Sequence, residues 1–199
     1  MMKCARKMAV GLLALAGFLV AADVRAADPA RRPNIVYINA DDLGWTDLSV
    51  QGSTYYETPN IDRLASEGMR FTECYAPAAN CAPSRACVIS GQYGPRHGVY
   101  TVGTSERGAT SDRMLIPVKN TVHLAEEQVT IAEALKAAGY RTAHVGKWHL
   151  GPDPRTQGFD VNIAGREWGS PRGGYHSPYD FPNCVQKEQG EYLTDRLGE

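Results

Sequence analysis

Neither charge sign is in excess: 22 acidic side chains stand against 21 basic ones in 199 residues, for a formal net charge of -1. That balance, with no Lys/Arg run outside the extreme N-terminus, excludes nucleic acid as an expected partner. A long apolar run is missing too. Residues 8–22 are apolar, but a spanning helix needs ~20 such residues, so no stable membrane anchor is expected. The chain also lacks internal repeats and low-complexity linkers, and its 43% hydrophobic content suits one globular domain's worth of chain.

What the N-terminus does have is the layout of an export signal. Lys3, Arg6 and Lys7 precede the apolar run, and Val24-Arg25-Ala26 offers small residues for cleavage. Residues 1–26 are therefore expected to be a signal peptide, and residues 27–199 the folded portion, exported to the periplasm or secreted. Cys4 lies before the apolar run, so it would leave with the signal. Cys74, Cys81, Cys87 and Cys184 would then occupy a compartment where disulfides persist. For Cys74, Cys87 and Cys184 the default is a disulfide partner or a small buried hydrophobe.

Short β-like runs alternate with helical ones, which predicts an α/β fold. Residues 34–40 read as a buried strand that runs into Asp41-Asp42-Leu43-Gly44. Asn60 can cap a helix turning Ile61, Leu64 and Ala65 to the core, with Gly68 ending it and residues 69–76 extended beyond. Pro83 suits the first turn of a further helix that Gly91 terminates, which puts Cys81 at its N-terminal edge. Thr130 and Glu133 have capping-box spacing, ahead of an apolar face of Ile131, Ala134, Leu135 and Ala138 and a closing Gly139. A strand over residues 140–145 would then deliver Gly146-Lys147-Trp148-His149. Strand ends and helix starts are where open α/β sheets place their ligands.

Each of these segments has a plain structural reading beside a chemical one. Asp41 and Asp42 supply oxygens of the kind calcium collects six to eight at a time, but an isolated pair is more often a polar turn or helix cap. Cys81 at a helix start, with Arg85 one turn on, can be a stabilised thiolate or part of a site for a sulfate or phosphate oxyanion. Spacing does not choose between these. Lys147 and His149, two apart on an extended stretch, would face one side and offer an anchoring cation with a proton-moving imidazole. Singly, such residues are mostly solvated; the convergence of three segments favours function.

Cys81-Ala82-Pro83-Ser84-Arg85 followed by Ser90-Gly91 resembles the signature of type I, formylglycine-dependent sulfatases, of the arylsulfatase kind. Pro33-Asn34-Ile35-Val36, Asp41-Asp42-Leu43-Gly44-Trp45 and Thr58-Pro59-Asn60-Ile61-Asp62-Arg63-Leu64-Ala65 resemble the family's opening segments. Gly139-Tyr140-Arg141-Thr142, Gly146-Lys147-Trp148-His149-Leu150-Gly151 and Gly158-Phe159-Asp160 match in order and spacing, so the resemblance covers nearly all of residues 27–199.

The resemblance implies an alkaline-phosphatase-like α/β fold with a mixed sheet flanked by helices, and hydrolysis of aryl or carbohydrate sulfate esters. It implies that a formylglycine-generating or sulfatase-maturing enzyme oxidises Cys81 to formylglycine (3-oxoalanine), which hydrates to a geminal diol. One diol hydroxyl attacks sulfur; the other, deprotonated, expels sulfate. Asp41, Asp42 and the modified Cys81 would be Ca2+ ligands. Arg85 would steady the modified side chain, Lys147 would hold sulfate and diol, and His149 would be the base. His97, in Arg96-His97-Gly98, matches a family segment with a structural role as the expectation.

The family's later metal-binding Asp-Asn pair and leaving-group lysine and histidine normally come from beyond residue 199. The sequence thus reads as the N-terminal, truncated portion of a sulfatase catalytic domain, with little activity expected of it alone. His176 stays unassigned. Two alternatives stand beside the sulfatase reading: a phosphate or phosphonate monoester hydrolase of the same superfamily, and an inactive truncated fragment. Trp168, Arg172, Tyr175 and Tyr179 would line a sugar site or simply pack.

Overall fold

The computed structural model describes residues 32–181, 183–185 and 188–198. The expected signal over residues 1–26 lies outside them. Two units are distinguished, Met1–Asn39 and Ala40–Glu199. In the first, residues 33–39 carry no regular secondary structure and are exposed, with Val36 84% accessible. The strand expected over 34–40 is therefore absent. An apolar β-branched run becomes a strand only when a neighbour completes its ladder, and among the described residues only one strand pair forms a sheet.

In the second unit the helices are α1 (Pro59–Glu67), α2 (Cys81–Ser90), α3 (Gly94–His97), α4 (Ile131–Ala137) and α5 (Leu193–Leu197). The strands are β1 (Ala143–Val145) and β2 (Val161–Ile163), paired in parallel with Ala143 opposite Val161 and Val145 opposite Ile163. Thr58, not Asn60, is the N-cap residue of α1, because Pro59 takes the first turn, where a missing N–H does no harm. No residue of α1 is buried, so the core-facing stripe expected of Ile61 and Leu64 meets solvent.

Helix α4 shows how local chemistry sets both ends of an element. Thr130 Oγ1 accepts from the Glu133 N–H at 3.2 Å, and the Glu133 carboxylate accepts from the Thr130 N–H at 2.7 Å, a complete capping box. At the other end Gly139, with φ +84°, lets its own N–H reach the Lys136 carbonyl while the Tyr140 N–H reaches Leu135. That is a Schellman closure. The buried position is Ala132, however, not the expected face of Ile131, Ala134, Leu135 and Ala138. Tertiary contact at Thr130, whose hydroxyl donates to the buried Gln157 carbonyl at 2.7 Å, sets the helix orientation instead.

The main core gathers Ala82 and Ala86 of α2 with Val99, Leu124, Trp148 and Leu150, flanked by Ile89 and Phe159. The small residues Ala82 and Ala86 of α2 share this cluster with the indole of Trp148. A second cluster of Ala164, Cys184 and Leu193 packs with Ile163, Tyr179, Phe181 and Leu197. Cys74, Cys81, Cys87 and Cys184 are all free: Cys87 and Cys184 are buried, as small hydrophobes would be, while Cys74 is exposed.

Candidate active site

The end of β1 and the start of α2 meet through the main core. Trp148 and Leu150 are each 1% exposed and point inward, which holds the backbone of Gly146–Gly151 against α2. On α2 the buried positions are Ala82, Pro83, Ala86 and Cys87. Cys81 and Arg85 lie four residues apart and so share a different face, one helical turn from each other. Asn80 precedes the helix in extended conformation, and its carbonyl accepts the Ser84 N–H at 3.0 Å.

From that face Arg85 donates to the Lys147 carbonyl at 2.7 Å and reaches Asp41 at 3.2 Å. Lys147 Nζ reaches the other oxygen of Asp41 at 2.5 Å. Two cations from separate elements thus clamp one carboxylate. Burial pushes the Asp41 pKa up, but the hydrogen bonds and charges of Lys147 and Arg85 outweigh it and the net shift is downward. Asp42 adopts φ +55°, a left-handed conformation that aspartate tolerates, and the chain bends there. It has no ion pair among the described residues.

His149 departs from the extended geometry expected of the Lys147–His149 pair. Its φ is +64°, so the two side chains are not placed by strand alternation. Its N–H donates to the Arg166 carbonyl at 2.8 Å, and its buried Nδ1 has no hydrogen-bond partner among the described residues. Burial lowers its pKa, the charges of Lys147 and Arg85 lower it further, and Asp41 opposes them. The imidazole is therefore held neutral, the form that accepts a proton. Gly169 lies against this ring: a Cβ there would stand 2.8 Å from Cε1 of His149.

Asp41, Arg85 and Lys147 are thus brought together directly. Cys81 lies one helical turn from Arg85, and the charges of all three act on His149. The carboxylates of Asp41 and Asp42 have the hard oxygen chemistry that calcium prefers, as a partial shell. Among the described residues no group of three or more His, Cys, Asp or Glu side chains is placed to hold a metal. A cavity adjoins the cluster and shares Asp41 and Lys147 with it. Of the four residues weighed for a sugar site, Trp168 and Tyr175 line this cavity, Arg172 stacks on Trp168 outside the lining, and Tyr179 packs in the second core with its hydroxyl on the Glu191 carbonyl. Arg166 and Gly169, also in the cavity wall, escaped the sequence reading because nothing in their local pattern marks them.

His97 is buried, with Nδ1 accepting the Val99 N–H at 3.1 Å and Nε2 3.3 Å from Cys87 Sγ. Since Nδ1 accepts, the neutral ring carries its proton on Nε2 and donates it toward sulfur. Burial lowers the histidine pKa and raises that of the thiol, so both stay neutral. The pair ties α2 to the end of α3, which is a structural role.

A cysteine at a helix start, two cations converging on Asp41 and a second aspartate beside it make a surface whose charges suit an oxyanion. The sulfatase family model matches residues 33–197, and the chain belongs to that family. It is 43% identical over 159 residues to a sulfatase of Formosa agariphila, covering 73% of this chain and 29% of that protein. It is 41% identical over 168 residues to the N-acetylgalactosamine-6-sulfatase of Mus musculus, covering 81% and 30%. Among solved structures it resembles that of Ps i-CgsB, with 29% identity, a TM-score of 0.62, and coverage of 83% of this chain and 39% of that one. The alkaline-phosphatase-like α/β class expected from the sequence stands on these neighbours. The chain spans about three tenths of the length of the curated relatives it matches.

Proposed function

We propose that this chain carries the nucleophile side of an active site that hydrolyses sulfate esters of aryl alcohols or carbohydrates, on an exported protein whose residues 1–26 are a signal peptide. The observation that carries the reading is the convergence of Arg85 and Lys147 on Asp41, at the face of the helix that Cys81 begins.

Each residue has a task that follows from its surroundings. Lys147 and Arg85 are 19% and 11% exposed in their side chains, so their charges act in a partly dry setting where they hold an anion more strongly than in water. Cys81 sits at the positive end of α2, which favours negative charge developing on its side chain or on an oxyanion beside it. Formylglycine at Cys81, once hydrated, supplies the attacking hydroxyl. His149, neutral and with a free ring nitrogen, takes a proton from that site. Asp41 and Asp42 would supply oxygens to a calcium ion, which offsets sulfate charge when bound.

The test is mass spectrometry of the tryptic peptide spanning residues 71–85 after thiol alkylation, from chain expressed with a formylglycine-generating enzyme. An aldehyde at Cys81 beside an alkylated Cys74 is expected. Full alkylation of Cys81 despite an active modifying enzyme would overturn the reading.

A further inference from the structure

The cavity beside the cation cluster has a wall to which the hydrolytic chemistry gives no task. Besides Asp41 and Lys147 it is lined by Arg166, Trp168, Tyr175 and Phe181. Arg166 is unusual there. Its Nε–H is buried without an acceptor, and the side-chain hydrogen bond it does make is a long one, 3.3 Å to the Pro152 carbonyl. No carboxylate lies within ion-pair distance of it among the described residues. Its backbone is fixed, because its carbonyl accepts the His149 N–H at 2.8 Å. Close by in sequence, Arg172 stacks its guanidinium 4.4 Å above the Trp168 ring, and it too is without a carboxylate partner among the described residues. Phe181 packs on the same indole at 5.6 Å.

Such a wall combines apolar ring surfaces with the guanidinium of Arg166, which has a donor to spare. Arginine binds carboxylates and sulfates through paired N–H donors, and a buried unpaired donor gains most when an acceptor arrives. Aromatic faces suit the apolar C–H surface of a sugar ring. We propose that this cavity receives the alcohol portion of the substrate and that Arg166 selects sugars bearing a second anionic group besides the scissile sulfate. The inference rests on the sulfatase reading above. The second anion is a carboxylate on an adjoining hexuronate or a further sulfate.

The experiment measures binding, not turnover, by quenching of tryptophan fluorescence in the 199-residue chain without the maturing enzyme. Three ligands are compared: 6-sulfated N-acetylhexosamine, the same sugar with an adjoining hexuronate, and the same sugar with a second sulfate. At least one doubly charged ligand should bind tenfold or more tightly than the singly charged one, and which of them does so identifies the anion. Arg166→Ala should erase that preference and Arg166→Lys should restore part of it. Equal affinity of the unaltered chain for all three ligands overturns the proposal, as does failure to bind any of them or a preference that survives Arg166→Ala. If Arg166→Ala does not fold, the ligand comparison on the unaltered chain decides alone. Failure of the sulfatase reading itself shows separately, in the mass of the 71–85 peptide.

Discussion

From Cys81 onward the second unit buries side chains in each of α2 to α5 and around its sheet, whereas residues 41–80 bury none at all. Both regions contribute to one site. Arg85 and Lys147 stand on the buried side, fixed by Ala86 below one and Trp148 beside the other. Asp41 stands on the exposed side and is held by those two cations. The two cations are thus built into a core, while the carboxylate is held in place by the charges themselves. Preorganised cations are what a site needs when it must meet an anion without rearranging.

The sharpest way to break this contrast is to remove matching apolar side chains from each region. Trp148→Ala should cost about 3–5 kcal/mol in denaturant unfolding, the range for a large buried aromatic, and should loosen the Gly146–Gly151 loop with it. Leu64→Ala, at a position 65% exposed on α1, should stay within about 0.5 kcal/mol. Comparable losses for the two would mean that the exposed region carries more of the fold than its burial indicates.

Acid offers a second test, because the buried side holds a neutral histidine. His144 lies edge-on to Trp148 and Phe159, and its pKa is pushed down to about 4, chiefly by burial. The Arg85 charge adds to the drop; contacts with the Gly146 and Lys147 backbone oppose it. In the unfolded chain the ring takes a proton near 6.5, so the stability it contributes is full above that pH and is lost as pH falls toward about 4. The loss should be of order 3 kcal/mol. His144→Phe should flatten the profile over that window; an unchanged slope would place the acid sensitivity elsewhere.

How much of this was legible in the sequence follows the same divide. Helices α2 and α4 were readable because their signals are local: Pro83 in a first turn, Gly91 at φ +65°, and a capping box closed by Gly139. The strand over 34–40 was misread because a ladder needs a partner that no local pattern reveals. The left-handed backbone at His149 was also invisible, since histidine seldom adopts it and nothing nearby announces the turn. Asp41, Arg85 and Lys147 were singled out segment by segment, and their joint roles came only through resemblance. Their contact spans 106 residues and only the fold brings it about. Thr130 tests the legible part. Thr130→Ala removes both the cap to Glu133 and the bond to Gln157, and should cost about 1–2 kcal/mol, with Thr130→Ser retaining most of it.

A small effect is also expected at the residue that joins the two regions. Asp41→Asn removes two ion pairs, yet the Asp41 side chain is 33% exposed, and pairs in such settings contribute about 1 kcal/mol or less. Arg85 keeps its 2.7 Å bond to the Lys147 carbonyl, so neither cation is left without a partner or solvent. The sign of the pH dependence separates this contribution from that of His144. Because the folded pKa of Asp41 lies below its ordinary 3.8, its share is present above that value and fades only as pH falls through the lower, folded one. Wild type and Asp41→Asn should therefore differ by a constant small amount from pH 5 to 8 and converge only in stronger acid. A difference that shrinks between pH 7 and 5 would show that a histidine, not the carboxylate clamp, couples the exposed segment to the core.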